Sequence, residues 1–259
     1  MYQNIIEEKR QNEKTGLFSN VFSTKNLGLY IISFMLSMVS LGGDFSIFSI
    51  SILGASFASN VPALGIMLVS LIGAGIKYGI NGVVEYFLTA MLLTIILGIV
   101  KPIYNEKEKN EKIKIGRHIF ISILLMQIVK MAISGFTLYD ILASIVISII
   151  GVVFYKIFVN STSVLQDFWE KKAYTIEELI GASLMIAISL GAFGNIGILG
   201  FGIKNILSIL IVMILGWKNG ILVGTTTGVT VGVTMRSYYR FRSYNDCSLC
   251  NFWNDGRYI

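Results

Sequence analysis

Oily runs separated by short polar turns fill most of this chain, and they constrain its fold more than any motif does. A helix crosses the hydrocarbon core of a bilayer when about 17–25 mostly apolar residues follow one another. The runs are Leu27–Gly43, Phe45–Ser59, Val61–Tyr78, Val83–Ile103, His118–Gly135, Thr137–Val159, Leu179–Phe193 and Ile196–Trp217. A ninth, Asn219–Thr234, is apolar but short, as are the second and seventh. Pro62 falls where the third run begins, at a helix start that does not need its missing N–H. A water-soluble domain of 259 residues needs a polar coat, which 14% charged against 54% hydrophobic residues cannot supply. The sequence therefore predicts an all-α polytopic transmembrane helix bundle of about eight spans plus a partial ninth. With 26 Gly and 2 Pro, the composition suits helices whose backbones approach closely.

The net charge of +6 does not point to nucleic acid, because the basic residues sit between the apolar runs. Lys9, Arg10, Lys14 and Lys25 precede the first run, and Lys101, Lys107, Lys109, Lys112, Lys114 and Arg117 follow the fourth. Lys171 and Lys172 follow the sixth, with Lys156 close by, and Lys218 follows the eighth. The turns around Asp44, Asn60, Asn81, Gly135 and Asn195 are nearly free of basic residues. The alternation places the basic loops and the N-terminus in the cytoplasm. Residues 1–26 are then a cytoplasmic N-terminal segment, 27–234 a multi-spanning membrane domain, and 235–259 an atypical polar tail. The first run has no small-x-small cleavage site and reads as a retained span.

No constellation for catalysis, cofactor binding or metal binding emerges. Cys247 and Cys250 have the spacing of half a zinc site, but a structural zinc needs four ligands. His118, the sole histidine, stands beside Arg117 and reads as an interfacial anchor. Charges inside the spans are costly and therefore notable: Glu85, Lys130, Asp140 and Lys204, with Lys77 and Asp44 near helix ends. A proton or ion path would use such groups. Snorkelling lysines, lysine–carboxylate pairs and interfacial acids are the simpler account, because no span carries a dense polar face. Gly216, Gly220, Gly224, Gly228 and Gly232 recur at steps of four and read as one helix-packing face, with Thr225, Thr226, Thr227 and Thr230 between them. The connector Ser161–Glu178 holds room for a short interfacial helix, and Thr175-Ile-Glu-Glu178 has the form of a capping box that would start the seventh span.

The stretch Tyr174–Thr234 contains IEELIGASLMIAIS, KNILSILIVMILGWKNGILVG and GVTVGVT. These resemble the membrane region of stage II sporulation protein E, and Ser49–Ile103 resembles it more loosely. The resemblance covers roughly residues 27–234. In that family a membrane bundle of spans precedes a central cytoplasmic region and a PP2C-type serine/threonine phosphatase. That phosphatase activates the forespore sigma factor, and the bundle associates with division proteins at the asymmetric septum. For a chain ending at Ile259 the resemblance implies a non-catalytic anchoring and septum-targeting module in the cell membrane. Its implied partners are the lipid bilayer, other copies of itself and division-septum proteins, without nucleic acid and without a cofactor. The resemblance ends at Thr234, where MRSYYRFRSYNDCSLCNFWNDGRYI replaces the expected small apolar helix. A shifted reading frame over Asn245–Asp255 can spell such a helix, so the tail is expected to be an out-of-frame continuation of a truncated chain. The rival from another class is a small transporter or channel, which broken helices with convergent polar groups near the midplane would mark.

Overall fold

In a computed structural model, the described residues are 26–40, 46–59, 61–100, 108–135, 138–166, 174–193, 197–198, 201–221, 224–225, 227–229 and 231–232. They form two compact units, Met1–Tyr174 and Thr175–Ile259. Apart from one pair of two-residue strands, the described elements are helical. The first unit holds α1 (Leu27–Ser37), α2 (Ser46–Ala58), α3 (Ala63–Val100), α4 (Glu108–Ser134) and α5 (Leu138–Gln166). The second holds α6 (Ile176–Leu190), a single 3-10 turn (Gly191–Phe193), β1 (Gly197–Ile198), β2 (Phe201–Gly202) and α7 (Ile203–Asn219).

Three helical stretches are long and apolar enough, by length and composition, to cross a membrane: Ala63–Gly98, which is interrupted at Gly79, Lys114–Ile133 and Leu138–Gln166. The helices Leu27–Ser37, Ile47–Ala58 and Ile203–Ile214 are apolar but shorter. At 1.5 Å per residue a helix like α1 reaches only about half of a ~30 Å hydrocarbon core. Several boundaries also differ from those read in the sequence. Helix α4 begins ahead of His118 and takes in the basic residues Lys109–Arg117, and α5 continues past Val159 to Gln166. In the eighth run the described residues ahead of Ile203 are not helical. Glycine destabilises a helix interior, and Gly197–Ile198 and Phe201–Gly202 form the antiparallel β1–β2 pair, with Gly197 opposite Gly202.

Helix α3 is two helices. At Gly79 the backbone has φ 66° and ψ −154°, far from helical values. Beyond it the chain folds back on itself. A Cβ placed on Gly82 would lie 3.0 Å from the Ala74 carbonyl oxygen, and one on Gly75 would lie 3.0 Å from Val83. In a continuous helix residues eight apart are separated by about 12 Å along the axis. Further from the apex, the buried hydroxyls of Ser70 and Tyr86 face one another without an ideally placed hydrogen bond. The break lies between the third and fourth apolar runs, two residues before Asn81.

The other pairings of the first unit fix its directions. Gly65 packs on Tyr30, Gly73 on Phe34 and Ser37, and the Tyr78 hydroxyl donates to the Met38 carbonyl at 2.9 Å. The first half of α3 thus runs parallel to α1. Ser51 donates to the Gly151 carbonyl at 2.8 Å, and Ser59 and Thr162 hydroxyls lie 2.9 Å apart, so α2 runs parallel to α5. Gly116 packs on Val152 and Tyr155, and Gly151 on Ile123, so α4 is antiparallel to α5. Gln166 donates to the Asn26 side chain at 3.0 Å, which brings the end of α5 to the start of α1. Each helical segment of this unit therefore runs opposite to the one before it. Asn26, Ser59 and Gln166 gather at one end of the bundle, and Met38 and Gly79 at the other.

Only glycine adopts the Gly79 conformation without strain. Gly79→Ala should destabilise the protein by about 1–3 kcal/mol. Gly98, where a Cβ would meet nothing within 4 Å, should tolerate Ala within about 1 kcal/mol. Equilibrium unfolding in detergent micelles compares the two.

Candidate functional site

The charges singled out inside the apolar runs fall into two groups. Glu85, on the second half of α3, forms an ion pair with Lys130 of α4. The pair is mostly enclosed, with 11% of the Glu85 and 32% of the Lys130 side chain exposed. Lys130 lies about one turn before the end of α4, and Glu85 about one and a half turns beyond Gly79. Both sit toward the Gly79 end, away from the bundle centre. Asp140 lies in the first turn of α5 at that same end. A carboxylate there interacts favourably with the helix dipole. These positions agree with the simpler account: a lysine paired with a carboxylate, and an acid at a helix end. They do not build a polar path through the unit.

Lys204 differs. It occupies the first turn of α7 and is 2% exposed. Burial of that degree excludes snorkelling, one of the roles the sequence allowed it. His118 is likewise buried. It stands about one turn into the apolar span that begins at Lys114.

The glycines at steps of four do not share one helical face. Helix α7 ends at Asn219, and Gly220 has φ 89° and ψ 177°. The following helical residues fold back against α7. A Cβ on Gly216 would lie 3.2 Å from the Gly224 Cα, and one on Gly228 would lie 3.5 Å from Val212. The pattern does mark a close packing contact, but Gly216 and Gly224 face each other across a hairpin whose apex is Gly220. Around Gly232 nothing lies within 4 Å of a placed Cβ. Ala187, Leu190 and Val231 form the buried cluster of this unit, with Phe193, Leu207, Ile211 and Val212 packed on it. The capping box is present: Thr175 Oγ1 accepts from the Glu178 N–H at 3.3 Å, and Glu178 Oε2 accepts from the Thr175 N–H at 2.9 Å.

The two hairpins share a spelling that the run-by-run reading of the sequence missed. Gly75-Ile-Lys77-Tyr-Gly79-Ile80 closes one, and Gly216-Trp-Lys218-Asn-Gly220-Ile221 closes the other. In each, the second glycine has positive φ. In each, the residues four before and four after the apex touch. Upstream, Leu53-Gly-Ala-Ser56 and Ile180-Gly-Ala-Ser183 also match. Both serines donate to the carbonyl three residues back, Leu53 and Ile180, at 2.6 and 2.7 Å. Comparing the sequence with itself would have found these short matches, although their spacing differs between the two units.

Among the described residues no group of three or more His, Cys, Asp or Glu could hold a metal ion. Cys247, Cys250 and the proposed shifted tail lie outside the described residues. Apolar helices with a few enclosed charges define a class: helical, membrane-associated proteins. Within that class the family model described as SpoIIE, N-terminal domain, matches residues 2–252, and the chain belongs to that family. The match continues beyond Thr234, where the resemblance visible by eye ends. No curated protein and no solved structure matches the chain.

Two measurements probe these contacts. Breaking the ion pair leaves an enclosed charge behind, so Glu85→Gln and Lys130→Met should each destabilise by about 1–3 kcal/mol. The double variant should cost less than the sum of the singles, as read by thermal unfolding in detergent. Gly224→Ala puts a methyl 2.9 Å from the Gly216 Cα. It should destabilise by about 1–3 kcal/mol, while Gly232→Ala should leave the unfolding midpoint unchanged.

Proposed function

We propose that the chain is the membrane-anchoring and septum-targeting module of a SpoIIE-like sporulation regulator, and that it is itself non-catalytic. The family match across residues 2–252 carries this reading. In the proposed topology the chain passes the membrane about eight times with a partial ninth span, and its N-terminus is cytoplasmic. Support comes from the alternating helix directions of the first unit. Asn26, Val100, Glu108 and Gln166 border the basic segments of that unit, and all belong to the end opposite Gly79. In the proposed topology that end faces the cytoplasm, the side on which basic flanking segments are retained. Partners under this reading are the bilayer, other copies of the chain and proteins of the division septum.

A small transporter or channel is the second reading, favoured by the enclosed Glu85–Lys130 pair. Carriers gather their polar groups near the bilayer midplane, whereas this pair lies toward one end, so the anchoring reading is preferred.

An N-terminal fluorescent fusion of the chain should concentrate at the asymmetric septum of a sporulating cell, relative to the lateral membrane. An even distribution around the cell membrane would remove the targeting role. Substrate uptake by reconstituted proteoliposomes would transfer the reading to transport.

A further inference from the structure

Both hairpin apices carry a lysine where a lipid-facing surface should be oily. At the first, Ile76 and Ile80 are 67% and 81% exposed, and Lys77 is exposed between them. At the second, Trp217 and Ile221 are 93% and 85% exposed, and Lys218 occupies the position that matches Lys77. Isoleucines so placed on a membrane-embedded hairpin contact acyl chains. An ammonium among acyl chains is costly, by about 2.5–3.5 kcal/mol at the bilayer centre on insertion scales. The penalty disappears if the apex lies at headgroup level and the four-carbon stem carries the amine to it. Three further features place the apices there. Each lysine lies in the last turn of its helix, where the exposed carbonyls favour a cation. Each has an aromatic neighbour, Tyr78 or Trp217, of the kind that settles at the membrane–water boundary. The Tyr78 hydroxyl also donates to Met38, just past the end of α1, so the first apex lies at the end of its bundle.

We propose that the Gly-X-Lys-X-Gly-Ile turn is a repeated lipid-anchoring motif, in which Lys77 and Lys218 hold the two hairpin apices at the depth of the phospholipid headgroups. The glycine folds the chain back within one residue, so the lysine stands at the tip of a narrow hairpin. The adjoining ring rests at the boundary, and the apex is held at a fixed depth. This rests on the membrane-embedded reading above, and adds to it the depth at which two named residues hold the chain.

Depth is measured with the full chain in vesicles of phosphatidylcholine and phosphatidylglycerol. Trp169→Phe and Trp253→Phe leave Trp217 as the reporter of the second apex. Adding Trp217→Phe and Tyr78→Trp moves the reporter to the first. Phospholipids brominated near the headgroup should quench each reporter more strongly than those brominated near the acyl-chain ends. Lys218→Leu and Lys77→Leu should shift the strongest quenching toward the deeper bromines, and Lys→Arg at the same positions should keep it shallow. Strongest quenching by deep bromines in the parent chains, or a depth unmoved by Lys→Leu, overturns the proposal. Quenching by neither lipid would instead overturn the membrane reading on which it rests.

Discussion

A polypeptide in hydrocarbon has no water to receive its backbone N–H and C=O groups, and each one left unpaired costs several kcal/mol. Much of what the helices do follows from that. Their hydroxyls bond back into their own helix: Ser33 to the Leu29 carbonyl, Ser51 to Ile47 and Ser148 to Ser144, each at 2.7–2.8 Å. Polar side chains absorbed in this way leave helix surfaces that fit by shape. Bonds that cross between helical segments, such as Ser51 to Gly151, Ser59 with Thr162, Tyr78 to Met38 and Gln166 to Asn26, then fix register. Such crossings contribute only about 0.6 kcal/mol each on average in a membrane. They select among packings that the small residues make possible.

Reversing direction is the hard step under that constraint, because a turn frees backbone groups. At Gly79 and Gly220 the reversal is confined to a single residue with positive φ. Helix resumes at once on the far side: the Gly224 N–H already donates to the Gly220 carbonyl at 3.1 Å. A side chain at either apex residue would meet strain rather than crowding, since nothing lies within 4 Å of a Cβ placed there. The glycines one turn earlier serve a different purpose. Gly216 allows the returning backbone at Gly224 to touch α7 itself, a contact that any Cβ would push apart.

How much of this could be read from the sequence depends on which property each feature expresses. Hydropathy is a bulk property, so the apolar runs and the helical class were legible. The Thr175–Glu178 cap was legible because its chemistry is local to four residues. Helix ends were less so: apolarity continues through Met38 and Val39 although α1 stops at Ser37. Steps of four between glycines fit one straight helix and a hairpin about its centre equally well, and the dihedral at Gly220 that separates them is not written in spacing. The Glu85–Lys130 contact joins residues from different runs, so hydropathy could nominate each charge without naming its partner.

The distribution of charge bears on what such a bundle is for. A path for ions or protons needs titratable groups in sequence from one face of the membrane to the other. In the first unit Lys77, Glu85, Lys130 and Asp140 all belong to the Gly79 end. Between the ends pack groups such as Phe48, Phe154 and Phe158, whose rings stand at 4.8 and 5.8 Å, while Lys156 on α5 is exposed rather than enclosed among them. An arrangement with an apolar core and most of its charges toward the ends resists sliding along the membrane normal, since a shift would carry those charges into hydrocarbon. That resistance is what an anchor requires, and a carrier would have to give it up to move. Lys204 is the exception, a cation enclosed at the positive end of its own helix. Enclosure at that position has a cost in both burial and dipole, which the interactions of Lys204 within the second unit must offset.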